Sequence, residues 1–157
     1  MISGPSGAGK GTLVTRVRER RSNLGLTVSA TTRAPRKGEV DGVNYFFLTR
    51  EEFDRRVANG EFVEWAEVHG NCYGTLVSEV TSKLASGSSL ILEIDVQGAL
   101  QVKERFPEAV LIFIKPPSLE VLRERLVGRG TETPETIELR MANAADELAL
   151  ADRYDDV

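Results

Sequence analysis

The spacing of apolar residues changes period several times along the chain, and each change marks an element. Met1-Ile2-Ser3 is a strand of three residues; Leu13, Val14 and Val17 then recur at helical spacing and predict a helix from about Lys10 to Arg21. Leu26-Thr27-Val28-Ser29 reads as a short strand. Ala30 to Gly42 carries prolines, glycines and charges without apolar period and reads as a loop. Val43 to Leu48 is strand-like. Thr49-Arg50-Glu51-Glu52 sets a hydroxyl ahead of a carboxylate at the spacing of a capping box, which opens a short helix to about Asn59. From Glu61 to Val68, Phe62, Glu64 and Ala66 alternate with Val63, Trp65 and Glu67, a two-residue period with aromatic weight. This stretch predicts a small sheet with one helix.

From Thr75 the pattern predicts a helix to about Ser86, the apolar strand Leu90 to Ile94, a helix from Gln97 to Phe106 and the strand Ala109 to Ile114. Near-continuous apolar strands alternating with helices imply a parallel sheet covered on both faces. Ser118 caps a further helix to about Val127, and Gly128 to Pro134 breaks it. The last helix, Pro134 to about Arg153, carries Ile137, Met141, Ala144 or Ala145, and Leu148 along one stripe. The fold class is α/β: a parallel central sheet flanked by helices, with a small mixed α/β insert. No internal repeat or low-complexity tract interrupts it.

Composition narrows the function classes. The 157 residues suit one domain, large enough to bury about two thirds of the surface of its unfolded form. Cys72 is the single cysteine and has no partner for an internal bridge, there is no signal-peptide pattern, and no apolar run approaches a membrane span. A cytoplasmic protein with no membrane partner is expected. The single histidine, His69, sits in the polar run His69-Gly70-Asn71 without a second His or Cys for a zinc site and reads as a loop residue. A net charge of −4 argues against a protein that coats nucleic acid. Yet eight basic residues stand between Lys10 and Lys37 against one acid, Glu19. Those on the first helix ride its solvated face, whereas Arg33, Arg36 and Lys37 lie in a turn-rich segment and read as a local anion site.

The strongest chemical signal is Gly4-Pro5-Ser6-Gly7-Ala8-Gly9-Lys10-Gly11-Thr12. Glycines allow successive N–H groups to point into one concavity, and a helix beginning at Gly9 or Lys10 adds its positive end. A nucleotide polyphosphate fits such a cradle, with Lys10 reaching the β and γ phosphates as a mobile charge. The position after the lysine is Gly11, so the hydroxyl that would ligate Mg²⁺ is that of Thr12, alone or shared with water.

This loop is the first of seven ordered motifs: Gly4 to Lys10, Ser29-Ala30-Thr31-Thr32-Arg33-Ala34-Pro35-Arg36, Gly42-Val43-Asn44-Tyr45, Phe62-Val63-Glu64-Trp65-Ala66, Asn71-Cys72-Tyr73-Gly74-Thr75, Ile94-Asp95-Val96-Gln97-Gly98 and Gly128-Arg129-Gly130-Thr131-Glu132-Thr133. Together they resemble guanylate kinase over essentially the whole chain. The resemblance implies a P-loop kinase fold with residues 1–29 and 76–124 as core, 30–75 as an inserted GMP-binding subdomain, 125–140 as a helical lid and 141–157 as a return to the core. It also implies a longer first strand, and a further strand and helix after the Tyr154 to Val157 stretch. The implied partners are ATP with Mg²⁺, and GMP or dGMP. Gly4, Ser6, Gly7, Ala8, Gly9, Lys10, Gly11 and Thr12 would hold ATP together with Arg125 and Arg129. Arg33, Arg36, Tyr45 and Tyr73 would hold the GMP phosphate, and Ser29, Glu64, Thr75 and Asp95 would surround guanine. Lys10, Arg33, Arg129 and Arg140 would act in phosphoryl transfer.

These roles agree with what the side chains can do. Arginine forks match phosphate oxygens in paired hydrogen bonds, and tyrosine hydroxyls add neutral donors. Glu64 can accept from both N1–H and the 2-amino group of guanine, neither of which adenine offers. Asp95, at the carboxyl end of a parallel strand, is assigned both base contact and indirect support of Mg²⁺, with capping of the helix before Gln97 as a structural rival. Each tyrosine also suits a core position, and Glu64 suits the solvated face of an edge strand. Three other functions compete. They are a non-catalytic guanylate-kinase-like interaction module, a kinase for another nucleoside monophosphate, and an RNA-binding role, which the acidic balance and missing aromatic platform oppose.

Overall fold

A computed structural model of the protein describes residues 1–128, 130 and 133–157. Strand β1 (Ile2–Ser3) leads through the glycine-rich turn into helix α1 (Lys10–Arg20), and β2 (Leu24–Leu26) follows. Later come α3 (Val77–Leu84), β7 (Ser89–Ile91), α4 (Val96–Arg105), β8 (Ile112–Phe113), α5 (Leu119–Gly128) and α6 (Pro134–Leu148). β2 pairs in parallel with β7, and β1 pairs in parallel with β8. The two pairs join through a parallel bridge between Ile2 and Glu93, with Ile2 N–H donating to Leu92 O at 2.8 Å and Ile94 N–H to Ile2 O at 3.2 Å. β1 is thus paired along both edges and occupies a central position. On the far side of β8, Asp156 bridges Ile112 in parallel.

The insert forms a separate four-stranded sheet in the order β4 (Phe46–Phe47), β3 (Ala30–Thr31), β6 (Asn71–Leu76), β5 (Phe62–Val68), with α2 (Arg50–Ala58) against it. Helix α2 starts at the expected capping box: Glu52 N–H donates to Thr49 Oγ1 at 3.1 Å and Thr49 N–H to Glu52 Oε2 at 3.1 Å. Its core joins Ala30, Phe53, Phe62, Cys72 and Leu76. The main core joins Leu92, Ile94, Val96, Ala99, Val102, Leu111, Phe113 and Tyr154 with one residue of the insert, Val63. The β5 register shifts between Phe62 and Glu64, a bulge that adds one residue and breaks strict alternation. Phe62, Val63 and Glu64 are consequently all buried, so Val63 serves one core and Phe62 the other.

Several boundaries differ from the sequence pattern. The second strand lies at Leu24–Leu26, two residues early, where Gly25 lets the Leu90 side chain approach. Ala30–Thr31, read as loop, is a strand too short to display a period, buried between two others. Val43 and Asn44 belong to a turn, with both N–H groups donating to Val40 O, so β4 starts at Phe46. Asn71–Leu76 is a strand rather than a turn leading into a helix: its polar and small residues hide the alternation, and Gly74 leaves room for the Phe62 ring. The last helix ends at Leu148, and Leu150 and Ala151 turn in to pack on the main core.

Candidate active site

The glycine turn is shaped by backbone angles. Gly4, Gly7 and Gly9 have φ of 134°, 92° and 104°, in the region that side chains oppose. At Gly4 a Cβ would also run into the Ile114 carbonyl of the neighbouring strand segment, so both strain and space demand glycine there. Gly9 is the N-cap of α1, and no acidic residue stands in the first turn of that helix. Lys10 Nζ folds back over the turn and donates to Gly4 O at 2.5 Å and Pro5 O at 3.0 Å. The arginines after β8 reach the same turn. Arg125 Nη1 donates to Ala8 O at 3.0 Å, and Arg140 Nη1 to Ser6 Oγ at 2.6 Å. A cleft of about 630 Å³ opens here, lined by Gly7, Ala8, Gly9, Thr12, Arg16 and Arg125 among others. Arg129 lies outside the described residues.

The second half of the site is made of side chains. Glu64 on β5 is 3% exposed and accepts from Thr75 Oγ1 on β6 at 2.6 Å; Thr75 is fully buried. Burial pushes the Glu64 carboxyl up to about 7; the Thr75 hydroxyl opposes that rise and the neighbouring Asp95 adds to it. Asp95 caps α4, its Oδ1 accepting from Gly98 N–H at 3.0 Å, which is the structural role the sequence allowed for. Ser29 is half-buried at the entry to β3, and its carbonyl accepts from Phe46 N–H at 2.9 Å.

The structure brings Arg33, Tyr45 and Tyr73 together. The Arg33 guanidinium lies 5.3 Å from the Tyr45 ring centroid, and the Tyr45 and Tyr73 rings meet edge to face at 6.2 Å. Arg36 is exposed, and the structure ties it to this group through its backbone, whose N–H donates to Glu39 Oε2 at 2.6 Å. Sequence reasoning missed Glu39, which grips Arg33 Nη2 with both oxygens at 2.8 and 3.0 Å. The Arg33 hydrogen bond, then the Arg36 N–H, holds the Glu39 carboxyl below its usual value. A carboxylate six residues after a phosphate-type arginine in a loop without period was the available signal. Glu93 was also missed. It is half-buried beside Gly11 and lies within electrostatic reach of both Lys10 and Tyr45, so it stands between the two halves of the site. Burial raises the Glu93 carboxyl and Lys10 opposes the rise.

A central parallel strand feeding a glycine cradle at a helix N-terminus, with a second sheet inserted ahead of the rest of the fold, defines a P-loop kinase. The guanylate kinase family model matches residues 1–157. A guanylate kinase of Halalkalibacterium halodurans is 56% identical over 155 residues, covering 99% of this chain and 76% of its own. That of Gloeobacter violaceus is 58% identical with the same coverage. Among solved structures, a guanylate kinase from Anaplasma phagocytophilum superposes with a TM-score of 0.78 at 40% identity, covering 99% of this chain and 72% of its own. The chain belongs to the guanylate kinase family.

Proposed function

We propose that the protein transfers the γ-phosphoryl group of ATP to GMP, or dGMP, giving ADP and GDP. The buried Glu64–Thr75 pair carries this reading, because it supplies the donor and acceptor pattern that guanine alone among the common bases complements. Guanine N1–H and the 2-amino group donate to Glu64, and the Thr75 hydroxyl turns to the base oxygen O6. Adenine lacks both donors and would leave a carboxylate unpaired in a closed site, a loss worth about a hundredfold in preference. Ser29 and Asp95 complete the base pocket. Arg33, Arg36, Tyr45 and Tyr73 take the phosphate, with Glu39 orienting Arg33.

Residues 30–75 act as the GMP-binding subdomain and 125–140 as the lid. An ionised GMP phosphate oxygen attacks Pγ while the bond from Pγ to the β–γ bridging oxygen breaks and its electron pair leaves with ADP. The nucleophile is already ionised at neutral pH, so no general base is required. Gly4 to Thr12 hold the donor, and Lys10, Arg33, Arg125, Arg129 and Arg140 balance the charge that spreads over the equatorial oxygens. Closure keeps out water, a competing acceptor. Thr12 and Glu93 are the hard oxygen donors near the cradle that suit Mg²⁺, which phosphoryl-transfer sites hold through one or two protein oxygens and the phosphates. When bound, Mg²⁺ neutralises phosphate charge. We place the reaction in the cytoplasm, consistent with a lone, buried cysteine; among the described residues no helix is long and apolar enough to cross a membrane.

An assay of ADP release with ATP and either GMP, dGMP, AMP or dTMP tests the reading, with turnover expected for GMP and dGMP alone. Absence of turnover with every acceptor in a folded sample would restore the non-catalytic module.

A further inference from the structure

The base-reading carboxylate sits on a strand of the insert, yet what fixes it in place comes from the main core. Along α4, Gly98, Gln101 and Arg105 are spaced three and four residues apart and so form one helical face. That face lies against β5. Gly98 is buried, and a Cβ there would collide with Glu64 Oε2 and stand 3.0 Å from its carboxyl carbon. One turn on, the Gln101 amide meets both backbone polar groups of Trp65: its Nε2 donates to Trp65 O at 2.8 Å, and its Oε1 accepts from Trp65 N–H at 3.2 Å. β5 is an edge strand of its sheet, so Gln101 supplies one rung of the ladder that a further strand would have supplied. Arg105 Nη1 donates to Phe62 O at 3.4 Å on the other side of the bulge. The bulge frees residue 63 from the β6 pairing, and the α4 contacts fix β5 immediately before and after it.

We infer that Gly98 and Gln101 are specificity-determining positioning residues: Gly98 vacates the space that the Glu64 carboxylate must occupy, and Gln101 fixes the backbone beside it. This rests on the reading of Glu64 as the guanine acceptor. A side chain at 98 pushes the carboxylate away from its place beside Thr75, and loss of the Gln101 amide lets the bulged strand shift. Neither change touches the glycine cradle or Lys10, so donor binding stays as it is.

The test is a double-mutant cycle on GMP and AMP steady-state kinetics, with ATP affinity measured by calorimetry. Gly98→Ala is expected to raise the GMP KM by about tenfold and to lower the GMP-to-AMP ratio of kcat/KM by a similar factor, with ATP affinity unchanged. In a Glu64→Ala background, where no carboxylate remains to be displaced, Gly98→Ala should cost less than about twofold. Gln101 is exposed and its truncation is compatible with folding, so Gln101→Ala serves as the second probe; it should raise the GMP KM about threefold to tenfold at unchanged kcat, with the same loss of discrimination. Equal costs of Gly98→Ala in both backgrounds, or a GMP-to-AMP ratio that neither single variant moves, would overturn the inference. If Glu64→Ala alone left that ratio unchanged, the base-reading assignment itself would fall, whatever the other variants did.

Discussion

The two halves of the site are built from different materials. The half proposed to hold the donor is largely backbone: glycines at positive φ, a helix N-terminus and one lysine folded over the turn. The half proposed to hold the acceptor is a set of side chains, Glu64, Thr75, Arg33, Tyr45 and Tyr73, brought from four strands and loops and held by carboxylates and a helix face. A backbone cradle recognises charge and shape that all nucleoside triphosphates share. Side chains discriminate, because a single carboxylate counts donors on a base. The contrast suggests that damage to the first half stops turnover, whereas damage to the second redirects it.

Lys10→Ala is the sharpest way to break this contrast. Turnover should fall by about 10³-fold or more while GMP affinity changes little, read from kcat and from calorimetry with GMP alone. Glu64→Gln comes next: an amide has one acceptor oxygen and presents donors where guanine also donates, so the GMP-to-AMP ratio should drop by about a hundredfold with the cradle intact. An unchanged ratio would mean that base reading lies elsewhere.

The third test uses protons. The folded-state value of about 7 for Glu64 exceeds that of a free carboxyl, so the folded protein retains this proton where the unfolded chain has lost it. Its contribution to folding therefore favours the folded state below the ordinary carboxylate range and is progressively lost as pH rises through about 7. On the proposed base contact guanine needs the ionised form, so GMP binding should expel a proton below pH 7, and the GMP KM at pH 6 should be about tenfold above its high-pH value. The GMP phosphate titrates nearby, and the same titration in Glu64→Gln subtracts it. Calorimetry in buffers of different ionisation enthalpy reads the difference directly; equal proton counts for both proteins would refute the coupling. The smallest effect belongs to the scaffold of the acceptor half. Thr49→Ala removes the cap of α2 and should lower stability by about 1 kcal/mol in urea unfolding, with the GMP-to-AMP ratio untouched.

The same division governs what the sequence discloses. The cradle is contiguous, so Gly4 to Thr12 announce it, and the Thr49 capping box and the apolar pair Leu90-Ile91 of β7 are equally local. Glu64 and Thr75 draw meaning from the pairing of β5 with β6, and β6 itself is hidden because Asn71, Cys72, Gly74 and Thr75 display no alternation. Resemblance supplied those residues; period alone did not. Glu39, Glu93 and Gln101 escaped both routes, since each works through a partner distant in sequence or a loop fold that leaves no periodic trace. The bulge at Val63 likewise requires a partner strand before it exists.

The pairing of β1 bears on how the molecule folds. Its partners are Leu92, Ile94, Ile112 and Ile114, so the segment that enters the phosphate cradle pairs only with residues roughly ninety or more positions further along the chain. That segment is thus placed only by contacts of high sequence separation, and a nucleotide in the cradle rewards an arrangement that the assembled sheet alone provides.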